Sequence, residues 1–233
     1  NLRINDVVNL ELDIFGKYIY KYTLSVPSTQ VVFENSDDRM EFIQSNMVPK
    51  DRTFLVNGAG VNTTVFYPGK NLTPPPLVVV LAARMLKDKG VREYIEAGKL
   101  LKEHASDVRL LLVGSIDRDN ISSLSQAEID IANSKGYIEY LGYRDDVENI
   151  YRRANVACLP SYREGLPKSL IEATACGLAI VTTDVPGCRQ MTFNGENGIL
   201  VPPKNARALA KQLIYLSENP KVVEEMGLES RKK

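Results

Sequence analysis

From residue 77 onward the chain repeats one pattern: a short, continuous apolar run, then a longer polar segment with helical spacing. The apolar runs are LVVVLAA (77–83), VRLLLVG (108–114), YIEYLG (137–142), NVACLP (155–160) and AIVTTD (179–184). Their β-branched content and unbroken apolar character predict strands buried on both faces rather than on one. Between them, KGVREYIEAGKLLKEHA (89–105), residues 122–134, residues 146–153 and the stretch SYREGLPKSLIEATACG (161–177) predict helices, and NARALAKQLIYLSEN (205–219) closes with another. Strands alternating with helices in this way specify an α/β fold: a Rossmann-like parallel sheet with helices on both faces.

The preceding residues follow a different plan. Residues 6–24 carry Val7, Leu10, Ile14, Tyr18 and Leu24 near helical spacing, TQVVFEN (29–35) predicts a short strand, and SDDRMEFIQSNMV (36–48) a helix opened by a Ser-Asp cap. Residues 53–77 begin like a strand and run through glycines to Pro74, Pro75 and Pro76, the composition of a connection. The pattern thus sets an α/β unit from residue 77 apart from what precedes it, with a connection between the two.

In open parallel sheets ligands sit beyond the carboxyl ends of the strands. The informative segments are then residues 84–89, 114–117, 142–146, 160–168 and 182–187, each of which holds Gly, Pro or polar residues. Bulk properties narrow the ligand. Lysine plus arginine balance aspartate plus glutamate at 29 each, and the tyrosines form no stacking platform, so nothing argues for nucleic acid. A single histidine and three scattered cysteines (158, 176 and 188) fit neither a histidine-rich metal site nor a disulfide framework, and point to a reducing, cytoplasmic compartment. Cys158 and Cys176 read as packing, and His104 as a solvated helix end. GAGVNT at Gly58 lacks the third glycine of a dinucleotide fingerprint and leads into no apolar-periodic helix, so it reads as a turn.

Two segments carry chemistry. ARMLKDKG sets Arg84 and Lys89 between a strand and a helix, where cations would meet an anion that also feels the helix's amino end. In SYREGLPKSLIEATACG, Pro167 suits the first helical position, which would leave the N–H groups of Lys168, Ser169 and Leu170 pointing out of the helix. Gly165 would let a ligand approach the backbone. Glu164 falls in the loop and Glu172, eight positions on, inside the helix. Bare carboxylates would repel a phosphate bound there, but they accept hydrogen bonds from vicinal hydroxyls, which points to ribose and hexose. A metal site lacks further ligands, since Asp184 alone is thin support. A glycosidase pair leaves the phosphate features unexplained.

EGLPKSLIE resembles the Glu-x7-Glu signature of glycosyltransferase family 4, retaining enzymes of the GT-B fold. LAARMLKDKGV, YLGYRDDVENIYRRANVACLPS, TTDVPGCRQ and NGILVPPKN are similar to further blocks of that family in the same order, and VVFENSDDRMEFI and LVNGAGVNTTVFYP to its approach to the second domain. The resemblance covers residues 31–219. It implies that Arg84 and Lys89 clamp the diphosphate of a nucleotide-sugar donor and that Glu172 holds the ribose. Glu164 would touch the transferred hexose or N-acetylhexosamine. The backbone of Gly165, Leu166, Pro167 and Lys168 would bind diphosphate or sugar, and Tyr143 and Arg144 would line the nucleobase slot. It implies no metal and no other cofactor. The acceptor would be a glycan or a lipid-linked sugar, with peripheral association at the inner face of the membrane. Family members have two domains, so the resemblance implies that 1–56 is the tail of the N-terminal acceptor domain and 57–76 an interdomain linker. It likewise implies that 77–219 is the nucleotide-sugar donor-binding Rossmann-like domain and 220–233 the start of a helix returning to the N-terminal domain. The chain is then expected to be mainly the donor-binding half, inactive without the domain that would precede it. A non-catalytic nucleotide-sugar-binding module of the same fold, or a nucleotide-sugar epimerase, is the alternative.

Overall fold

A computed structural model describes residues 14–69 and 74–233. Its centre is a six-stranded, all-parallel sheet of β3 (Leu77–Ala82), β4 (Val108–Val113), β5 (Glu139–Gly142), β6 (Val156–Leu159), β7 (Ala179–Thr183) and β8 (Gly198–Val201), in the order β5-β4-β3-β6-β7-β8. Strand order reverses between β3 and β6, and this is where open α/β sheets place their crevice.

The strands are apolar on both faces because both are covered. Val79, Leu81, Leu110, Leu112, Val156, Cys158 and Val181 point to one side. There they meet Val91, Tyr94, Ala97 and Leu101 of α3 (Val91–Glu103), Ile129 of α4 (Gln126–Ser134), Leu209 and Leu213 of α8 (Ala206–Glu218), and Val223 and Met226 of α9 (Pro220–Lys232). Val80, Leu111, Val113, Ala157, Leu159 and Ile180 point to the other. That face is covered by Ile150 and Tyr151 of α5 (Val147–Tyr151), Leu170 and Ala173 of α6 (Lys168–Ala175), and Cys188 of α7 (Cys188–Met191). All three cysteines are buried and free, and burial pushes the Cys176 thiol up to about 11 and the Cys188 thiol to about 12, as packing residues should show. His104 caps the end of α3 at the surface, its Nδ1 3.2 Å from Ser106 Oγ.

Five of the six strands lie where the apolar runs predict, with β5 at one edge. β8 and α7 carry no such signal: β8 opens on Gly198, where a β-carbon would meet the Ile180 carbonyl of β7. Helix α4 begins at Gln126, later than the pattern suggests, because Ser125 and Glu128 close a capping box there.

The amino-terminal part holds a second, two-stranded parallel sheet of β1 (Val31–Phe33) and β2 (Thr53–Leu55), joined through α2 (Ser36–Gln44). Val31, Phe33, Phe42, Met47 and Val48 form its core. The helix predicted over 6–24 is present as α1 (Ile14–Thr23); residues 6–13 lie outside the described residues. Asn35, not the Ser-Asp pair, caps α2, with its side chain accepting the Asp38 N–H at 2.8 Å. The segment after β2 folds back on the larger sheet, since a β-carbon at Gly58 would meet Leu166 and Ile171 and Phe66 packs near Tyr151.

Gly90 decides how closely β3 and β6 present their trailing loops. It holds φ +72°, and a β-carbon there would run into the Pro160 carbonyl. Replacing Gly90 with alanine adds left-handed strain to a backbone clash, so Gly90→Ala is expected to lower unfolding free energy by about 2–4 kcal/mol in urea denaturation. A loss below about 1 kcal/mol would refute the close approach.

Candidate functional site

The loops after β3 and β6 are zipped together by backbone. The Asp88 carbonyl accepts both the Ser161 hydroxyl at 2.8 Å and the Tyr162 N–H at 2.8 Å. Tyr162 Oη donates to Glu93 Oε1 at 2.7 Å, and the Thr183 hydroxyl at the end of β7 donates to the Ser161 carbonyl. Lys89, next to Gly90 in this junction, turns its side chain to Glu164.

Lys89 Nζ lies 2.7 Å from both Glu164 Oε1 and Oε2. The pair is largely withdrawn from water, with side-chain exposures of 20% and 9%. An ammonium has three N–H bonds, and two are spent on Glu164, which leaves one. A carboxylate has about four lone-pair positions, so Glu164 keeps acceptor capacity for hydroxyl donors.

The Glu164–Gly165 backbone is held tightly. The Glu164 N–H donates to the Pro186 carbonyl at 3.3 Å. Gly187, at φ +80°, sits so near that a β-carbon would come within 2.5 Å of both the Glu164 and the Gly165 carbonyl oxygens. From the amino-terminal part, Asn35 Nδ2 donates to the Gly165 carbonyl at 2.9 Å, and Arg163 pairs with Asp38 and, at 3.1 Å, with Glu41. Glu34 reaches the same place: its Oε2 occupies the space a Gly165 β-carbon would need. Sequence reading passed over Glu34 and Asn35, although their position just after β1, at that strand's carboxyl end, was a usable signal.

Pro167 is the N-cap of α6 rather than its first helical residue, at φ −71° and ψ 111°. This corrects the expected set of free donors, because the Leu170 N–H bonds the Pro167 carbonyl at 3.0 Å. Among the described residues no acceptor meets the N–H groups of Gly165, Leu166, Lys168 or Ser169. With no side-chain cap on α6, its positive end stays open.

Glu172 sits inside α6 with its side chain 15% exposed, 3.6 Å from Lys168 Nζ. Burial raises its pKa above the ordinary carboxylate value; the Lys168 charge opposes that rise and the Glu148 charge adds to it.

The remaining predicted residues stand further along the row. Arg84 is well exposed and meets Asp117 of the β4 loop at 3.4 Å, not Glu164. Tyr143 is exposed at the end of β5, and Arg144 forks onto Asp146 with bonds of 2.7 and 2.9 Å, which holds the Asp146 carboxyl down to about 2. From β5 to β6 the row crosses three inter-strand spacings, about 14 Å. Hollows of about 470 and 400 Å³ lie at the amino ends of the strands, beside Lys102 and Tyr137, and take in none of these residues. Among the described residues no group of three histidine, cysteine, aspartate or glutamate side chains is arranged to hold a metal.

A family model described as "Glycosyl transferases group 1" matches residues 67–233. The N,N'-diacetylbacillosaminyl-diphospho-undecaprenol alpha-1,3-N-acetylgalactosaminyltransferase of Campylobacter jejuni is 32% identical over 206 residues, 83% of this chain and 52% of that protein. The capsular polysaccharide biosynthesis glycosyltransferase CapM of Staphylococcus aureus is 28% identical over 67% of this chain and 40% of its own length. The chain thus spans about half the length of the curated relatives it matches. Among solved structures, sucrose-phosphate synthase from Thermosynechococcus elongatus superposes with a TM-score of 0.79 at 25% identity, over 94% of this chain and 56% of the other. Anabaena HepE in complex with UDP superposes with a TM-score of 0.80 at 17% identity, over 94% of this chain and 63% of the other, which shows a shared fold. By the match over residues 67–233 and the likeness to the Campylobacter enzyme, the chain belongs to the glycosyl transferases group 1 family.

Proposed function

We propose that this chain binds the donor for a retaining glycosyltransferase of family 4 type, which moves a hexose or N-acetylhexosamine from a nucleoside diphosphate to a glycan or lipid-linked acceptor. The observation that carries the reading is the placing, at the reversal of strand order, of the Lys89–Glu164 pair just ahead of the open end of α6, with the partly buried Glu172 one turn into that helix.

In this reading the pyrophosphate lies against the N–H groups of Lys168 and Ser169 and takes the third hydrogen of Lys89, while Arg84 approaches from the β3 side. Charge building on the departing nucleoside diphosphate is then met by fixed cations and a helix end, which need no rearrangement during the reaction. Glu164 does not repel that charge, because Lys89 neutralises it; its free lone pairs accept from hexose hydroxyls. Glu172 accepts from the ribose. Tyr143 and the backbone of Arg144 flank the base, since the Arg144 guanidinium is engaged with Asp146. The cations and helix end do the work that a metal does elsewhere, so donor binding proceeds without one. The functions of relatives support the acceptor class: the Campylobacter enzyme acts on an undecaprenol-linked sugar, and others belong to capsular polysaccharide or colanic acid biosynthesis. A lipid-linked acceptor would bring the protein to the cytoplasmic face of a membrane, and no described helix is long and apolar enough to cross one.

Titration with UDP and GDP tests the reading. At least one should bind, and Glu172→Gln should weaken it about 10- to 100-fold at pH 7.5, the value of hydrogen bonds to a charged acceptor. No binding of either nucleotide to the wild type would overturn the assignment.

The raised pKa of Glu172 sets a pH dependence with a definite sign. A folded-state value above the unfolded one means that ionising Glu172 costs folding stability as pH rises through that window. Hydroxyl donors need the ionised form, so wild-type affinity should fall toward that of Glu172→Gln as pH drops from 7.5, beginning above the ordinary carboxylate range. A ratio that stays constant down to pH 4.5 would contradict this.

Binding should also be unchanged in excess EDTA; a loss beyond about 10-fold, restored by a divalent cation, would show that a metal belongs in the site.

A further inference from the structure

The loop that carries Glu164 is gripped by a residue far away in sequence. Asn35 is 1% exposed. Its Oδ1 accepts the Asp38 N–H at 2.8 Å and caps α2; its Nδ2 donates to Asp38 Oδ2 at 2.8 Å and to the Gly165 carbonyl at 2.9 Å, with the Glu164 carbonyl at 3.4 Å. One N–H is therefore used within α2, and the other is given to the loop. Asp38, itself buried, pairs with Arg163, so three consecutive loop residues are tied to the start of one helix.

These bonds set the direction of two peptide planes. In a trans peptide the C=O and the following N–H point opposite ways. Holding the Glu164 and Gly165 carbonyls toward Asn35 turns the Gly165 and Leu166 N–H groups away from it. Gly187 enforces the same orientation, because its missing side chain lets those carbonyls pack against it. The turned-out N–H groups meet no acceptor among the described residues, and they continue directly into the two free N–H groups that open α6. Four donors on residues 165, 166, 168 and 169 therefore face outward in series, the first two beside the carboxylate of Glu164.

We infer that Asn35 is a positioning residue: by holding the Gly165 and Glu164 carbonyls it aims the Gly165 and Leu166 N–H groups, and with them Glu164, at the sugar end of the donor. The inference rests on the proposed function and assigns the two pairs of donors differently. Those at 168 and 169 take the pyrophosphate, and those at 165 and 166 take hexose oxygens.

The test is Asn35→Ser in the full chain. Serine is as good a helix cap as asparagine, so α2 keeps its start, but its hydroxyl is too short to reach the Gly165 carbonyl. Affinities for UDP and GDP would be compared with those for UDP-glucose, UDP-N-acetylglucosamine, UDP-N-acetylgalactosamine and GDP-mannose. The extra affinity that the correct sugar confers over its nucleoside diphosphate should fall about 5- to 20-fold, while nucleoside diphosphate binding changes less than about 2-fold. A purely structural role would weaken both ligands alike, and that result, or no change in either, overturns the assignment while leaving nucleotide binding by the family site intact. If the wild type binds neither class of ligand, the proposed function and this inference fall together. Should the serine variant not fold, Asn35→Thr provides the second arm. It keeps a capping hydroxyl, removes the donor without placing a carboxylate against Asp38, and the same selective loss is expected.

Discussion

A lysine and a glutamate from the two central strands' trailing loops neutralise each other where little water reaches them, and the rest of the site depends on that contact. A carboxylate at 9% exposure is costly unless it is paired, and stripping one partner from such a pair leaves a charge that neither solvent nor protein meets. The pair is therefore the condition on which the β6 loop can lie inward at all. What makes it possible is backbone: Gly90 pressed against Pro160, and the Asp88 carbonyl shared by Ser161 and Tyr162. The charges meet because the main chain brings their two loops together.

Once Glu164 is neutralised, a positive helix end and an acidic side chain can stand side by side without working against each other. In the proposed reading the open amino end of α6 attracts an anion, and Glu172, deeper in the helix and partly screened by Lys168, is kept for neutral donors. That reading separates anion binding from hydroxyl binding along a single helix, and an unpaired Glu164 would work against the phosphate it places there.

The amino-terminal part has a share in this arrangement. Asn35 and Asp38 bind residues about 130 positions later, and Arg189 of α7 lies 3.6 Å from Asp37 of the same helix turn. Two arginines, Arg163 and Arg189, thus converge on the acidic first turn of α2. The small β1–β2 sheet contributes through its carboxyl edge, as the larger sheet does, so the two sheets turn their chemically active ends toward the same loop.

The apolar runs at 77–83, 108–114, 155–160 and 179–184 were legible as strands because a strand covered on both faces has to be apolar at every position, and few other structures make that demand. Glu164, Gly165 and Glu172 stood out as candidates because turn chemistry and charge lie close together in sequence there. β8 was not legible: it is short and opens on a glycine whose value is the room it leaves for the Ile180 carbonyl, a requirement set by a neighbouring strand. Pro167 was placed one position too far into its helix, since a proline's fixed φ suits both the cap and the first turn and only the following hydrogen bonds choose between them. The sequence by itself determined the layered α/β fold, where the strands end, and the kinds of group found just beyond those ends, because these follow from local burial patterns and turn residues. Only the tertiary structure decided that Lys89 belongs to Glu164 rather than standing beside Arg84, and that Asn35 and Glu34 reach the Gly165 loop. Such pairings depend on which strands become neighbours, and chain proximity carries no record of that.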